Sequence, residues 1–561
     1  MLPEQETHQT ASTAIQEPGQ AYLQHVPQDP RRPVQKEDPP EEEEKVAEMS
    51  MIPTQHDKEE SDKIYNLLKD DYNQYETPAA ESKKRAIIAQ LQTIIVDWIK
   101  RCYREEQRSE DEIQNSGGRL FTFGSYKQRV NGPSSDIDTL VVAPRDIDRW
   151  KHFFGILAPT LRDTPGVTDL AEVRDTFVPV IKMKYRDVEI DMLFARIEFK
   201  EVGEDFDKPD SLLNNDILRN CDEMTIRSLN GCRVTDLILK TVGQTTEQTE
   251  TFETTLRCIK LWSKNRGIHS NVLGYLGGVA WAILVAKIVK DFPQAKPNQV
   301  LAKFFSYYKD YNWSSDNPIT LMEIANDPTK VTFTVPDSMI YKPSGQEMMP
   351  IITPAFPSMN TTYAMGASQK RVVLTEFEKA ARITAELMKV PRTSSITWSR
   401  LFKKFPFFKA YEHFIEIQVL AKRDEDHKKW QGFAESKLKN LLKNLEKFDK
   451  MIGECLEMRP WPRAYRLDNP QFPSNDVYYF GIRIRGGVIP KKGTIDFTNT
   501  RKIFYEQFTL KMEDNPVIYD LMMSKQIDLR IDYKTRSQLP DAVRPASVPA
   551  QSAFKTETNQ R

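Results

Sequence analysis

Apolar residues recur at helical spacing between Arg85 and Tyr103, where Ile87, Ile88, Leu91, Ile94, Ile95 and Trp98 form one stripe. Residues three and four apart share a helix face, so this spacing predicts an amphipathic helix. Gly117-Gly118 breaks the pattern. Leu120–Phe123 and Ile137–Val142 then read as strands, with turns at Gly124-Ser125 and Asn131-Gly132-Pro133 between them. Val178–Met183 and Val188–Phe194 read as two more strands, joined by a tight turn at Tyr185-Arg186-Asp187. Residues 120–195 are therefore predicted to form a small strand-rich α/β unit. From about residue 205 to 390 helical patterns dominate. One segment carries Leu256, Ile259, Lys260 and Trp262, another runs over Val279–Val289, and Pro-rich Met349–Asn360 interrupts them. After Thr397 come an alternating strand (His413–Leu420), a basic helix (Glu435–Phe448) and strands at Val477–Ile484 and near Ile495–Phe497. That alternation predicts a separate α+β domain.

Composition adds two tails and removes several function classes. The 561 residues allow two to four domains at roughly 100–200 residues each. The net charge of −1 conceals an asymmetry: residues 1–60 hold 14 acidic and 5 basic residues, so the rest of the chain is net positive. Residues 1–55, rich in Pro, Gln and Glu with the block Glu41–Glu44, read as a disordered acidic tail. The last residues, with Pro540, Pro545 and Pro549, read as a second tail. Cys102, Cys221, Cys232, Cys258 and Cys455 form no CxxC pair. This argues against a disulfide framework or a structural zinc site, and for a reducing compartment. The first 30 residues lack the apolar core of a secretory signal. The longest apolar run, Gly274–Ala286, stops at Lys287, short of the roughly 20 residues that span a bilayer.

The strongest chemical signal is Gly124-Ser125 followed by Asp136-Ile137-Asp138. On a strand, residues i and i+2 share a face, so Asp136 and Asp138 are expected to present two carboxylates side by side. Such a pair repels itself unless a cation lies between, and a hard divalent ion with oxygen ligands, Mg²⁺ or Mn²⁺, meets that need. Asp191, within the apolar strand VEIDMLF, is the candidate third ligand. A glycine turn between strand and helix exposes backbone N–H groups that, with the Ser125 hydroxyl, can hold a triphosphate.

These segments carry a resemblance. FGSY…GPSSDIDTLVVAP resembles the signature of polymerase-beta-type nucleotidyltransferases, in wording close to the eukaryotic nuclear poly(A) polymerases. The likeness extends through VEIDMLFAR, SLNGCRVTD, RCIKLWSKNRGIHSNVLGYLGGVAWAILVAK, MPIITPAFPSMNTTY and HKKWQGFAESKLKNLL, over about residues 60–535. It implies an α+β multidomain chain. Residues 56–205 are expected to form a polymerase-beta-like nucleotidyltransferase domain that includes the N-terminal helices. Residues 206–394 are expected to form a helical central domain, and residues 395–535 an RRM-like RNA-binding domain. Tails at 1–55 and 536–561 flank them. The implied activity is template-independent addition of AMP from ATP to RNA 3′ ends by two-metal-ion catalysis. The implied setting is the nucleus, as a monomer, with single-stranded pre-mRNA ends, ATP and 3′-end processing factors as partners. Asp136, Asp138 and Asp191 match the family's metal-binding catalytic acids. Phe123, Gly124 and Ser125 match residues around adenine and triphosphate. Lys260 matches a phosphate-binding lysine, and Lys264, one turn on, shares that task. Asn271, Gly278 and Val279 match residues near sugar and base. The rival readings are a terminal uridylyl or other nucleotidyltransferase, and a catalytically weak RNA-binding paralogue.

Two departures bear on efficiency. The family usually has glycine where Arg129 stands, so Arg129 is read as an extra phosphate contact or an obstruction. His269 replaces the family's tyrosine near the triphosphate and can still donate a hydrogen bond from a shorter reach. In the C-terminal region Lys437, Lys439, Lys443 and Lys447 recur along one helix, Arg483 and Arg485 alternate on a strand, and Lys491-Lys492 follow. With Tyr478 or Phe480 as stacking platforms, this composition suits a single-stranded nucleic acid.

Overall fold

The computed structural model describes residues 51–174, 176–324, 333–389, 397–485 and 496–544. Residues 1–50 of the expected acidic tail, Lys491-Lys492, Ile495 and residues 545–561 of the second expected tail lie outside them; residues 536–544 of that tail are ordered, with Leu539 and Val543 buried against Phe407 and Phe414. Thr54 caps helix α1 (Gln55–Asn66) in a reciprocal box with Asp57, so the chain is helical one residue inside the segment expected to be disordered. Ser61 donates to Asn298 Oδ1 at 3.1 Å, and Asn298 Nδ2 donates to Asp57 Oδ1 at 2.8 Å. Ile64 and Leu68 are buried with the apolar residues of the central helices. The first helix is thus fastened to the helical region, not to the strand unit with which the sequence reading grouped it.

Helix α2 (Pro78–Glu105) starts at a Thr77 cap with Pro at its first position, and buries Ile87, Leu91, Ile95, Trp98 and Ile99. It covers one face of a five-stranded sheet of β1 (Arg119–Phe123), β2 (Ile137–Ala143), β3 (Val167–Val173), β4 (Val180–Tyr185) and β5 (Val188–Arg196). The strand order is β1-β2-β5-β4-β3; β2 and β5 run parallel and the other pairs antiparallel. Val141, Met192 and Phe194 face α2, while Leu140, Val142 and Ala195 face the opposite cluster, which contains Leu229 and Cys232. Those two residues lie on α3 (Glu223–Val242). The period-two alternation of the strands therefore puts Asp138 and Asp191 on the α3 side.

Four more helices complete the central region: α4 (Thr246–Arg266), α5 (Gly278–Asp291), α6 (Pro297–Asp310) and α7 (Ala367–Leu387). Trp262, Trp281, Phe305 and Phe377 interlock there, with the Trp262 and Phe305 ring centres 4.8 Å apart. No described helix is long and apolar enough to cross a membrane. All five cysteines are unpaired.

The C-terminal region follows a βαββααβ order, a βαββαβ plan with its second helical crossover split in two. It comprises β6 (His413–Ala421), α8 (Asp424–Ile452), β7 (Leu456–Arg466), β8 (Ser474–Ile484), α9 (Thr498–Glu513), α10 (Pro516–Met523) and β9 (Ile527–Thr535). The sheet is antiparallel in the order β7-β8-β6-β9. The strand expected near Ile495–Phe497 is not one where it is described: Phe497 is the cap residue of α9. Tyr478 and Phe480 are not stacking platforms either. They are 2% and 0% exposed and belong to the core formed with Leu438 and Leu441 of α8. On the opposite face Tyr479 packs with Phe407, Tyr411 and Phe414. Both faces of the sheet are covered, so stacking of bases on open strands, the usual mode of RRM domains, is blocked on β8.

This region is also bound tightly to the central helices. Gly267 ends α4 with φ +66°, and a Cβ there would lie 2.1 Å from Trp461 Cζ3, so glycine serves both the turn and the docking of β7. Glu376 of α7, 1% exposed, accepts from Arg266 Nε at 2.6 Å and from Arg459 Nη1 at 3.0 Å. The Arg459 guanidinium lies 3.6 Å from the centre of the Phe405 ring.

Candidate active site

Strand register assembles the site. Phe123 pairs with Asp138 across β1 and β2, Asp138 with Asp191 across β2 and β5, and Asp191 with Lys182 across β5 and β4. Carboxylate oxygens of Asp136, Asp138 and Asp191 lie within 4.8 Å of one another. Burial, then the charges of Asp136 and Asp191, push the Asp138 carboxyl up to about 7. Three acids held this close, one of them resisting ionisation, are the donor set that a hard divalent cation satisfies. Lys182 pairs with Asp191 and partly offsets the charge.

Gly124 follows β1 with φ +63°, and a Cβ there would lie 2.3 Å from Asp138 Oδ2. Only glycine lets the turn pass this close to the acids. The Gly124 N–H donates to Thr235 Oγ1 at 3.2 Å. The Phe123 ring rests against α3 at Gly231, where an added Cβ would lie 2.9 Å from Cε2.

A cavity of about 530 Å³ opens beside the acids. Its lining includes Phe123, Gly124, Ser125, Asp136 and Asp138 from the strand unit, and Lys260, Lys264, His269, Gly278 and Val279 from the helical region. Lys260 Nζ donates to the Val130 carbonyl at 2.9 Å. Burial, then Lys264 and Arg257, lower the Lys260 ammonium to about 8. His269 is held neutral, its pKa lowered to about 3 by burial and then by Lys264 and Lys260. Its Nδ1 is 3.0 Å from Ser263 Oγ. The same hydroxyl lies 3.1 Å from the Lys260 carbonyl.

Two expected residues lie outside the cavity lining: Asp191, which stands opposite Asp138 on β5, and Asn271. Asn271 is exposed and stands beside Gly277, 3.4 Å from where a Cβ would be. Arg129 is also outside the lining, with an exposed side chain. Its φ is +55°, and its carbonyl accepts from the buried Arg257 guanidinium. The left-handed backbone explains why glycine suits this position. Arg129→Gly is expected to change stability by no more than about 1 kcal/mol, in the stabilising direction. Relief of left-handed strain exceeds the added chain entropy of glycine by about that much. A small rise in melting temperature with unchanged ATP KM is the result to look for.

Several lining residues lacked a clear signal in the sequence. Asn230, Gly231, Thr235 and Met359 come from a helix and a Pro-rich crossing distant from the Asp136 motif. Gly231, inside an otherwise helical run, was the one readable hint. Lys182 was readable only as the strand partner of Asp191.

Three successive family models match the chain: the poly(A) polymerase nucleotidyltransferase domain over residues 49–242, the poly(A) polymerase central domain over 251–404, and the poly(A) polymerase predicted RNA binding domain over 406–471. Nuclear poly(A) polymerase 1 of Arabidopsis thaliana is 36% identical over 75% of this chain and 56% of its own length. Poly(A) polymerase of Dictyostelium discoideum is 34% identical over 84% of this chain and 56% of its own length. Poly(A) polymerase pla1 of Schizosaccharomyces pombe is 39% identical over 69% and 65% respectively. The chain thus spans a little over half the length of the first two relatives. A solved structure of the Cid1 poly(U) polymerase aligns with 15% identity and a TM-score of 0.41, over 62% of this chain and 99% of that one. With three consecutive poly(A) polymerase domain models matched in order along its length, the chain belongs to the poly(A) polymerases.

Proposed function

We propose that this protein is a template-independent RNA adenylyltransferase, adding AMP from ATP to the 3′ end of single-stranded RNA. The observation that carries the reading is an acid triad, two of whose members, Asp136 and Asp138, line a cavity with Phe123, Gly124, Ser125, Lys260 and Lys264. Asp136, Asp138 and Asp191 would hold Mg²⁺ or Mn²⁺. When bound, such ions lower the pKa of the RNA 3′-hydroxyl and neutralise the triphosphate. Lys260 and Lys264 hold the phosphates, the Ser125 hydroxyl adds a donor, and Phe123 and Val279 bound the base. The chain's own part is positioning and electrostatics, which dominate in phosphoryl transfer. Residues 56–205, 206–394 and 395–535 serve as catalytic, central and RNA-binding domains, although α1 packs with the second. The nucleus, a monomeric state and 3′-end processing factors complete the proposal, supported by the names of the nuclear plant relatives.

The test is extension of a labelled oligo(A) primer with each nucleoside triphosphate separately, in Mg²⁺ and in Mn²⁺. ATP should outcompete the other three. Preferential use of UTP would establish the uridylyl rival, and no incorporation with any of them the RNA-binding paralogue.

Lys260 gives a second check. A charge-assisted contact to phosphate is worth about 1.5–3 kcal/mol. Lys260→Ala is therefore expected to lower kcat/KM for ATP by roughly 10- to 150-fold, with primer affinity unchanged. The Lys260 ammonium is lowered to about 8, so kcat/KM for ATP in the parent should fall as pH rises through about 8. The same depression makes the folded chain hold fewer protons than the unfolded one between about 8 and the ordinary 10.5. The contribution of this group to stability therefore rises with pH across that window. A pH profile of ATP use that is identical in parent and Lys260→Arg would remove Lys260 from phosphate binding.

A further inference from the structure

We infer that a second anion site adjoins the catalytic cavity and receives the pyrophosphate released by nucleotidyl transfer; the inference rests on the adenylyltransferase reading. A cavity of about 670 Å³ lies where the end of α4 meets the Lys404–Lys409 segment and the turn of β7 at Arg463. Lys264 and His269 line both this cavity and the catalytic one. Lys264, Lys404, Lys409 and Arg463 bring four cations to its lining, and no carboxylate is among the lining residues. Among the described residues none of the four is in an ion pair. Like charges gathered around one cavity repel, and a polyanion relieves them.

The side on which the cavity lies decides which anion it takes. In transfer, the RNA 3′-oxygen bonds to the α-phosphorus as the bond from that phosphorus to the bridging β-oxygen breaks. The hydroxyl proton passes to solvent, and the electron pair of the broken bond leaves with pyrophosphate. Attacking and leaving oxygens lie roughly in line, so pyrophosphate departs away from the primer, on the side of the groups that hold the phosphates. Lys264 and His269 are on that side, and they form the wall shared with the second cavity. The rings at its edge are engaged with one another: Phe407 and Trp461 stack with centres 4.8 Å apart, and Trp461 Nε1 donates to Tyr465 at 3.0 Å. That favours a small anion over stacked bases.

Lys404, Lys409 and Arg463 are exposed, so their replacement leaves folding intact. AMP addition to an oligo(A) primer is measured with the full chain at fixed ATP against added pyrophosphate, for the parent and for the triple variant Lys404→Ala, Lys409→Ala, Arg463→Ala. The pyrophosphate concentration that halves the rate is expected to rise at least about tenfold, with ATP KM and primer affinity within about twofold. Lys404→Arg should behave as the parent. Calorimetric binding of magnesium pyrophosphate, without ATP or RNA, should weaken in the same order. That binding reads the site even if the nucleotide assignment fails. Unchanged inhibition and binding would overturn the inference. So would a loss of oligo(A) affinity equal to or greater than the loss for pyrophosphate, which would assign the cavity to the RNA strand.

Discussion

Replacing Asp138 with asparagine is expected to remove AMP transfer while leaving the protein, in EDTA, at least as stable as the parent. Removing one preorganised electrostatic group from a transition state costs on the order of a hundred- to a thousandfold, and on the proposed reading the group would also hold the ions that supply the chemistry. Stability moves the other way. Burial and two neighbouring carboxylates raise Asp138 to about 7. A carboxyl raised above its unfolded value binds more protons in the folded state, so stability falls as pH rises from about 4 to about 7. Above that pH the ionised Asp138 is a liability of roughly 1–3 kcal/mol after allowance for solvent screening. Asparagine removes it, so in EDTA the variant should melt above the parent at pH 8 and level with it at pH 4. Mg²⁺ should raise the melting temperature of the parent far more than that of the variant. Activity within tenfold of the parent, or equal stabilisation of both proteins by Mg²⁺, would defeat the assignment of these acids.

Glu376→Gln is expected to give the largest loss of stability at a distance from the catalytic acids. Glu376 is almost wholly buried between Arg266 and Arg459. Burial raises its carboxyl, but Arg459 and Arg266 outweigh that and hold it below the ordinary range. Removing the charge leaves two guanidinium groups facing each other in the core, one of them against the Phe405 ring. Breaking a buried ion pair from one side costs about 3–5 kcal/mol. The loss should fall on the junction of α7, α4 and β7, so hydrogen exchange at Arg459 and Gly267 should rise before exchange in the catalytic sheet. Because the folded pKa is depressed, the stabilisation is present above the unfolded value of about 4.5 and lost as pH falls through the lower folded value. Parent and variant should therefore converge in acid. Replacing the whole triad with apolar residues of matched volume should recover most of the loss.

The local pattern of residues determined much of this protein. The stripe of Ile87, Leu91, Ile95 and Trp98 specifies α2, because helical spacing is a property of neighbours in sequence. Alternation specifies β5 and β6 and an apolar run specifies β2; of the two DxD acids Asp138 lies on β2, while Asp136, expected on the same strand face, immediately precedes the strand. The same alternation runs through β9, where Ile527, Leu529 and Ile531 enter the core, although no strand was expected there. It fails for β7, because Pro460 and Pro462 argue against a strand that is tolerated at a sheet edge with an irregular register after Trp461. Asp191 was recognisable as the third acid, since a carboxylate in an apolar strand needs a reason. That it sits directly opposite Asp138 is a matter of register between strands about fifty residues apart, which no local pattern encodes. Tyr478 and Phe480 show the converse: an aromatic on a strand reads alike whether its face is open or covered, and the Phe407–Tyr411 segment and α8 cover both faces here. From sequence, Arg129 reads as an extra phosphate contact or an obstruction, because glycine is usual there. Only the tertiary structure shows that its backbone is left-handed, with the carbonyl accepting from Arg257. Local chemistry is written in the spacing of residues; the meeting of Lys182 with Asp191, of Gly267 with Trp461 and of two arginines on Glu376 is set by contacts between segments far apart in the chain, which only packing creates.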